Sequence, residues 1–347
     1  MNWQNLFDYI LYFLVLPFVS ISFVLTSMTN DSRIFIGTEA IADRFYPLPY
    51  GWDAAYEVKP IGNRILNWLL YKIANFFVPM VTNQYNLFGY VVKLTALILL
   101  IICCYYISKR IPFHYGFIIL FLGFACQANF SILMAEWFAA LFGLVAITLC
   151  FERNRNWQFV AGLLCVYIGL LKTITFPMTI SCICAVILLG GAVDWKRAIS
   201  GFLTGCIAFL ILCFTVWPYS IGDMIMSRYV AHVGMYDIKT LLRYLWMTQD
   251  TSNMIKVFIN YMPIVLIGMA LACYLLVWYW FKENKAPFLL FVLMWAVPFM
   301  VVMAQEEFII YHYTVLCLPA IVSIVLFDRL GTKKWDSAVL NKGSTSP

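Results

Sequence analysis

Apolar residues along this chain fall into ten long stretches, separated by short polar connectors or by two longer polar segments. The stretches lie at residues 9–27, 88–107, 112–127, 130–151, 157–173, 175–193, 198–217, 259–281, 287–304 and 309–327. A helix needs roughly 20 residues to cross a hydrocarbon layer of about 30 Å, and these stretches have or approach that length. The pattern predicts an all-α polytopic membrane protein with about ten transmembrane helices.

One further apolar stretch, residues 63–80, has polar positions at helical spacing along one side. Positions 64, 67, 71 and 75 are polar or basic, whereas positions 66, 70, 73 and 77 are apolar. This two-sided pattern is typical of a helix that lies in the membrane interface. We therefore expect residues 63–80, together with the short segment 34–45, to form amphipathic interfacial helices in an outer loop.

Basic residues mark one side of the predicted membrane domain. If residues 63–80 do not cross, the basic connectors 108–110, 152–155, 194–197 and 282–285 and the tail segment 329–334 all lie on the same side. The positive-inside bias makes that side cytoplasmic and puts both chain ends there. Residues 1–347 then form one integral membrane domain with large extracytoplasmic loops at 28–87 and 218–258 and a disordered tail at 340–347.

The composition agrees with a membrane-embedded chain and excludes other classes. Hydrophobic residues make up 63% and charged residues 12%, against roughly 45–50% and 25% in ordinary soluble domains. The net charge is +6, and the basic residues do not form the dense clusters that bind nucleic acid. Nucleic acid is therefore not an expected partner, and the expected surroundings are a lipid bilayer. The 11 cysteines have no paired CxxC spacing and are interpreted as small packing residues.

Ionisable residues inside the apolar stretches are the first candidates for function, because burying them in a membrane is costly. Lys93, Glu136, Lys172 and His312 all fall near the predicted extracytoplasmic ends of their helices, and Glu306 falls in the outer connector beside them. An ion pathway would place titratable groups through the whole membrane thickness. This distribution instead predicts a polar chamber at the outer face.

An acidic residue follows the first predicted span. Asp31 is held close to the end of a helix, where a carboxylate is positioned to take a proton from an acceptor hydroxyl, so we predict that it is a general base. The alternative is a helix N-cap, since Asp31-Ser32 precedes an amphipathic segment. Asp53, beside Trp52, is a weaker candidate for a site residue.

The sequence YEVKPIGNR, residues 56–64, groups Glu57, Lys59 and Arg64 around Pro60. Proline is favoured at the first turn of a helix, and a cation beside the open amides of that turn can hold an anionic headgroup. The alternative is that these cations snorkel from an interfacial helix to water.

Two further cations stand beside the later spans. Lys172 precedes a tight turn, and His312 with Tyr313 lies about one turn inside the last span. Lysine binds phosphate as a compact point charge, and histidine adds a donor or a titrating proton. The alternatives are an ion pair of Lys172 with Glu136 and a core role for His312.

Taken together, these features resemble the glycosyltransferase C superfamily of integral membrane sugar transferases. The resemblance rests on Asp31 after the first span, surface helices at 34–45 and 63–80, YEVKP at 56–60, seven spans before a second large loop at 218–258, and the ending EEFIIYHYTVLCLPA at 306–320. The order of spans and loops resembles that superfamily over nearly the whole chain. The sequence motifs that add to the resemblance are short.

The resemblance implies inverting transfer of a sugar from a polyprenyl-phosphate donor to a glycan, lipid or protein acceptor outside the cytoplasm. The membrane is then a bacterial inner or plasma membrane, or the endoplasmic reticulum with a lumenal site in a eukaryote. Asp31 would be the catalytic base. The candidates for holding the donor phosphate are Lys59, Arg64, Lys172 and His312, and those for orienting substrates are Asp53, Glu57, Glu136, Glu306 and Tyr313.

No cofactor is expected, because nucleotide-binding, zinc-peptidase and hydrolase motifs are absent from the sequence. No metal is expected either, because Asn30 occupies the position where a paired acid would precede Asp31.

Three other functions fit parts of the pattern. A transporter or flippase of lipid-linked saccharides would need a second polar chamber facing the cytoplasm, and the inner halves of the spans carry almost no charge. A polymerase or ligase of the O-antigen type would use arginines of the second loop, such as Arg228 and Arg243. A structural membrane subunit would need no site.

Overall fold

A computed structural model describes residues 3–25, 69, 73, 76, 85–109, 115–125, 135–150, 155–171, 175–188, 194–215, 259, 262–281, 285–303 and 314–331 of the chain. Within these residues all regular structure is helical and no strand occurs. The helices are α1 (Trp3–Leu25), α2 (Tyr85–Ser108), α3 (Gly116–Ala125), α4 (Ala135–Leu149), α5 (Arg155–Leu171), α6 (Thr175–Leu188), α7 (Trp195–Thr215), α8 (Pro263–Phe281), α9 (Lys285–Met303) and α10 (Cys317–Gly331). Each predicted apolar stretch contains one of these helices, which confirms the all-α prediction.

One described helix, α1, is long and apolar enough to cross a membrane, with a mean hydropathy of 2.0. Shorter apolar helical segments of 10–17 residues occur at Lys93–Ser108, Gly116–Ala125, Glu136–Leu149, Asn156–Leu171, Pro263–Trp278 and Thr314–Phe327. By length and composition, the described part of the chain therefore contains one clear candidate span, at its N-terminal end.

Helix α1 begins at Trp3, earlier than the predicted start near Tyr9. Asp8 lies inside the helix, one residue before the predicted apolar stretch. The Tyr115 hydroxyl donates a hydrogen bond to the Asp8 carboxylate. This contact offsets part of the cost of placing an acid in an otherwise apolar helix.

The middle of α1 is wider than an α-helix. Residues Ile10–Val15 form a π-helical segment, in which the Leu16 N–H donates to the Leu11 carbonyl. Pro17 follows directly and has no N–H to donate to the preceding turn. Because proline disrupts the regular ladder at this point, the chain accommodates it with the wider turn.

Contacts of α1 with α3 and α4 define the two ends of the helix bundle. Phe7 packs on Tyr115, at the start of α3, with 5.8 Å between ring centroids. Phe23 packs on Trp137, at the start of α4, with 6.2 Å between centroids. We call the end that holds Phe23 and Trp137 the upper end and the end that holds Phe7 and Tyr115 the lower end.

The directions of the remaining helices follow from their contacts. Helix α8 begins at the upper end, because a Cβ at Gly123, near the end of α3, would lie 2.7 Å from Ile264 Cδ1. Helix α10 runs parallel to α8, since Gly268 lies against Ala320 and Tyr274 packs on Phe327 further along both helices.

Other helix pairs are antiparallel, because they pack together and short connectors join them. These pairs are α2 with α3, α4 with α5, α5 with α6, and α8 with α9. The described helices therefore alternate in direction along the chain. Helix α1 ends and α2 begins at the upper end, and α7 ends and α8 begins there too. The described helix ends that flank residues 26–84 and 216–261 thus all lie at the upper end.

Helices α5 and α7 approach each other most closely through glycines. A Cβ at Gly162 would overlap the Ala198 carbonyl oxygen, and one at Gly201 would overlap the Phe159 carbonyl oxygen. Gly205 lies against Val166 further along, so the two helices run parallel. Gly201 and Gly205 form a GxxxG pattern, which lets helix backbones approach closely in membrane proteins.

Cysteines in the described part of the chain are free thiols. Cys103, Cys104, Cys150, Cys165, Cys182 and Cys317 are buried among apolar side chains, as a packing role requires. Cys206 is half-buried and Cys273 is exposed.

The described residues of the 63–80 stretch are helical at positions 69, 73 and 76. Leu69 is 47% exposed and Phe76 is 83% exposed. In a regular helix, positions 69, 73 and 76 lie on the side opposite positions 64, 67, 71 and 75, which are polar in the sequence. An apolar side with this exposure is what contact with a membrane interface requires.

Candidate functional site

The buried charges in the described part of the chain lie in the upper half of the bundle. Lys93 of α2 is 2% exposed and Glu136 of α4 is 3% exposed. Helices α2 and α4 pack together. Burial of a single charge costs several kcal/mol, about as much as the whole stability of many domains. Charges of opposite sign on two packed helices reduce that cost.

Glu136 is positioned by the start of its helix. It is the second residue of α4 and lies in the first turn. The partial positive charge of a helix N-terminus favours a carboxylate there by roughly 0.3–1 kcal/mol.

An aromatic wall stands beside Glu136. Trp137 is fully buried, and its indole N–H donates to the Phe124 carbonyl at 3.1 Å. Its ring meets Phe124 edge-on with 5.9 Å between centroids and also packs on Phe138 at 4.9 Å. The hydrogen bond supplies a partner for a carbonyl at the end of α3, where the helix itself offers none. Trp137 thus fixes α3 to α4 at the upper end.

Buried threonines stand at the start of α6 and directly before α10. Thr175, Thr179 and Thr314 are fully buried. The Thr179 hydroxyl donates to the Thr175 carbonyl at 2.9 Å within α6. The hydroxyl oxygens of Thr175 and Thr314 have no hydrogen-bond partner. A buried hydroxyl without a partner costs about 1–3 kcal/mol, so these two groups require an explanation.

Gly143 marks the level at which α4, α6 and α10 meet. A Cβ on this residue would lie 3.0 Å from Thr179 Oγ1 and 3.0 Å from Leu318 Cδ2. The three helices begin at the upper end, and Thr175 and Thr314 precede Thr179 and Leu318 by four residues each. Thr175 therefore lies about one α-helical turn, roughly 5 Å, above the Gly143 level. Thr314 lies slightly higher, because residues 314–316 form a 3₁₀ turn with a rise of about 2 Å per residue.

Polar groups at the lower end have structural partners. The Asp194 N–H donates to the Gln158 side-chain oxygen at 2.6 Å, and the Arg197 N–H donates to Asp194 Oδ1 at 3.3 Å. Asp194 is thereby an N-cap of α7, and Gln158 ties that cap to α5. The cations Lys109, Lys196 and Arg197 are exposed. The lower end thus has a basic surface, and its described interior combines the neutral Gln158 with the half-buried carboxylate of Asp8, whose Oδ1 atom has no hydrogen-bond partner.

Of the predicted site residues, the structure describes Glu136, which lies buried at the upper end. The predictions for Asp31, Asp53, Glu57, Lys59, Arg64, Lys172, Glu306, His312 and Tyr313 fall outside the described residues. In the sequence, Lys172 directly follows Leu171, the last residue of α5, and Tyr313 directly precedes Thr314.

The sequence reasoning missed Thr175 and Thr314 as candidate site residues. A threonine at a helix start is common and gives no sign that its hydroxyl is buried without a partner. Lys93 was recognised as a charge within an apolar stretch, but no role was assigned to it. Its burial against α4 makes it part of the polar interior at the upper end.

No group of three His, Cys, Asp or Glu side chains in the described part of the chain could hold a metal ion. Comparisons of the chain with protein-family models, with curated proteins and with solved structures give no match.

Proposed function

We propose that the chain is a polytopic membrane glycosyltransferase that moves a sugar from a polyprenyl-phosphate donor to an acceptor at the extracytoplasmic face. The observation that carries the proposal is the burial of Lys93 and Glu136 at the end of the bundle from which both long segments extend. Buried charges of opposite sign on two packed helices of an apolar bundle are candidates for a polar binding chamber.

The membrane part of the proposal rests on the surface of the helices. Trp3, Phe13 and Phe18 of α1 are 84%, 66% and 73% exposed. Helix α7 likewise exposes Ile199, Leu203 and Ile207 at intervals of four residues. Apolar rows of this kind require an apolar solvent. The alternating helices and the close α5–α7 pair support multiple spans within a bilayer.

The sidedness of the site follows from the exposed cations. Lys109, Lys196 and Arg197 lie at the lower end, which the positive-inside bias makes cytoplasmic. The upper end, with Glu136 and the ends of both long segments, is then extracytoplasmic. A polyprenyl-phosphate sugar presents its headgroup at that surface while its tail stays in the membrane.

The chemistry needs few groups from the protein. The leaving group is a phosphate, so the protein must neutralise its charge and supply one base for the acceptor hydroxyl. In this proposal Asp31 is the base, and Lys59, Arg64, Lys172 and His312 hold the phosphate. Glu136 accepts hydrogen bonds from sugar hydroxyls.

A transporter of lipid-linked saccharides would present a second charged interior to the cytoplasm. In the described residues, the buried polar side chains near the lower end are Thr148 and Gln158, which are neutral. This distribution favours an enzyme with one chamber at one face.

The test is transfer of sugar in membranes that contain the full chain and a polyprenyl-phosphate sugar. Asp31→Asn should reduce turnover by about 100-fold or more, because general-base catalysis contributes on this order. Ser32→Ala, at the next position, is the matched control and should retain activity. Full activity of the Asn variant would remove Asp31 from the role of base. Movement of intact donor across the membrane without any transfer would support the transporter instead.

A further inference from the structure

The first turns of α6 and α10 lie side by side at the upper end. Thr179 of α6 and Leu318 of α10 both lie against Gly143 of α4, and the three helices run in the same direction. The N-terminal amides of α6 and α10 therefore point toward the same region. Pro177 stands in the first turn of α6, where its missing N–H removes no helical hydrogen bond.

Each of these helix starts has a threonine hydroxyl that the protein does not satisfy. Thr175 opens α6, Thr314 opens the 3₁₀ turn at residues 314–316 that leads into α10, and both side chains are fully buried. Their Oγ1 atoms have no hydrogen-bond partner, whereas the buried hydroxyls of Thr148 and Thr179 each donate to a backbone carbonyl of their own helix. Burial without a partner is maintained where a ligand supplies the missing bond.

The local charge favours an anion as that ligand. Among the described residues of the upper half, the buried charges are those of Lys93 and Glu136, which are opposite in sign. The helix N-termini add a partial positive charge, where free N–H groups point outward. Phosphate oxygens accept hydrogen bonds from amides and hydroxyls in such positions. A neutral sugar would not use this field.

We propose that Thr175 and Thr314, together with the N-terminal amides of α6 and α10, form a subsite for the phosphate group of a polyprenyl-linked substrate. The inference rests on the proposed function and adds two hydroxyl donors to the cations predicted from the sequence. Each hydroxyl donates one hydrogen bond to a phosphate oxygen, and no covalent step is involved.

The experiment measures binding of polyprenyl monophosphate to the full chain in detergent micelles. Thr175→Val and Thr314→Val remove the hydroxyl at nearly constant volume and should each weaken binding about tenfold, as expected for a lost hydrogen bond to a charged group. Thr148→Val is the matched control, because Thr148 is buried at the other end and its hydroxyl is already satisfied. Polyprenol, with the same tail and no phosphate, should bind every variant alike.

Serine variants at both positions separate the hydroxyl from its packing. Thr175→Ser and Thr314→Ser keep the donor and should bind polyprenyl monophosphate as the unaltered chain does. Equal affinity of the valine variants and the unaltered chain would overturn the subsite, and so would equal losses in the serine and valine variants. Competition by inorganic phosphate should be weaker by at least about tenfold than competition by the lipid phosphate, since the tail adds apolar burial; equal competition would overturn the assignment to a lipid-linked substrate.

These results are independent of the transfer reaction. If the unaltered chain transfers sugar and the valine variants keep the same apparent donor affinity, the subsite fails and the glycosyltransferase proposal stands. If phosphate-dependent binding falls in the valine variants while no sugar is transferred, the subsite stands and the proposed function fails.

Discussion

At the scale of single residues, the upper half of the bundle holds the fully buried charges of the described residues and two of their buried hydroxyls without partners, and the lower end has one comparable group, the Oδ1 atom of Asp8. Lys93 and Glu136 are buried charges, and Thr175 and Thr314 are buried hydroxyls without partners. Near the lower end, Thr148 and Gln158 are buried with hydrogen bonds in place. A buried polar group without a partner needs an explanation, and in our proposal the bound substrate supplies it at the upper end.

Trp137 is the residue on which the upper end depends most for stability. Trp137→Phe removes the hydrogen bond to the Phe124 carbonyl and leaves a small cavity in the aromatic wall. We expect a loss of about 2–4 kcal/mol in the free energy of unfolding. Thermal unfolding of the purified chain in micelles measures this loss. Trp195→Phe is the control, since Trp195 is 47% exposed, and equal midpoints for the two variants would contradict the prediction.

The sequence predicted Glu136 as a buried site residue because a charge inside an apolar stretch is conspicuous. It could not predict Thr175 or Thr314 in the same way. Whether a threonine hydroxyl has a partner depends on side chains from other helices, and threonine often bonds to its own helix, as Thr179 does.

At the scale of helices, periodicity and length located each element, but small residues decide how the elements pack. The apolar stretch that starts at residue 9 predicted α1. The helix begins earlier, at Trp3, because the mixed polar and apolar residues 3–8 are also helical. The contact between α5 and α7 was not predicted. A hydropathy profile does not show which glycines allow close helix packing. Gly162 and Gly201 have no side chain, and this lets the backbones of α5 and α7 come into contact.

This packing makes a prediction about glycine substitutions. Gly201→Ala places a methyl group against the Phe159 carbonyl oxygen, where a backbone must move to make room. We expect a loss of about 1–3 kcal/mol in stability, measured by thermal unfolding in micelles. Gly169→Ala in α5 is the matched control, because its methyl group would meet the Phe176 side chain at an ordinary 3.5 Å. That variant should be neutral or up to about 1 kcal/mol more stable. A stable Gly201 variant would show that α5 and α7 are not in close contact.

At the scale of the whole molecule, the alternation of helices places the helix ends that flank both long segments at one end and the exposed cations of the described residues at the other. The sequence predicts the same arrangement from the basic connectors, under the assumption that residues 63–80 do not cross. Periodicity cannot give the direction of a helix within a bundle. That information comes from contacts such as Phe7 with Tyr115 and Phe23 with Trp137.

Reporter fusions test this arrangement in cells. Ser108, Leu149 and Leu188 are the last residues of helices that end at the lower end of the bundle. A fluorescent reporter that is active in the cytoplasm should be active when it is fused after any of these three residues. Alkaline phosphatase, which is active outside the cytoplasm, should be active after Ala125 or Leu171. The inverted result at all five positions would put the upper end in the cytoplasm and remove the extracytoplasmic site.

The parallel pairing of α5 and α7 also imposes an order on biosynthesis. Helix α6 packs on α4 and α5, so these three helices can associate as soon as α6 leaves the ribosome. The glycine groove of α5 is filled only after α7 has been made, and α7 ends at Thr215, 27 residues beyond Leu188 at the end of α6. At rates of about 5–20 residues per second this takes a few seconds. During that interval the groove around Gly162 has no native occupant, and lipid or an insertion factor must shield it until α7 arrives.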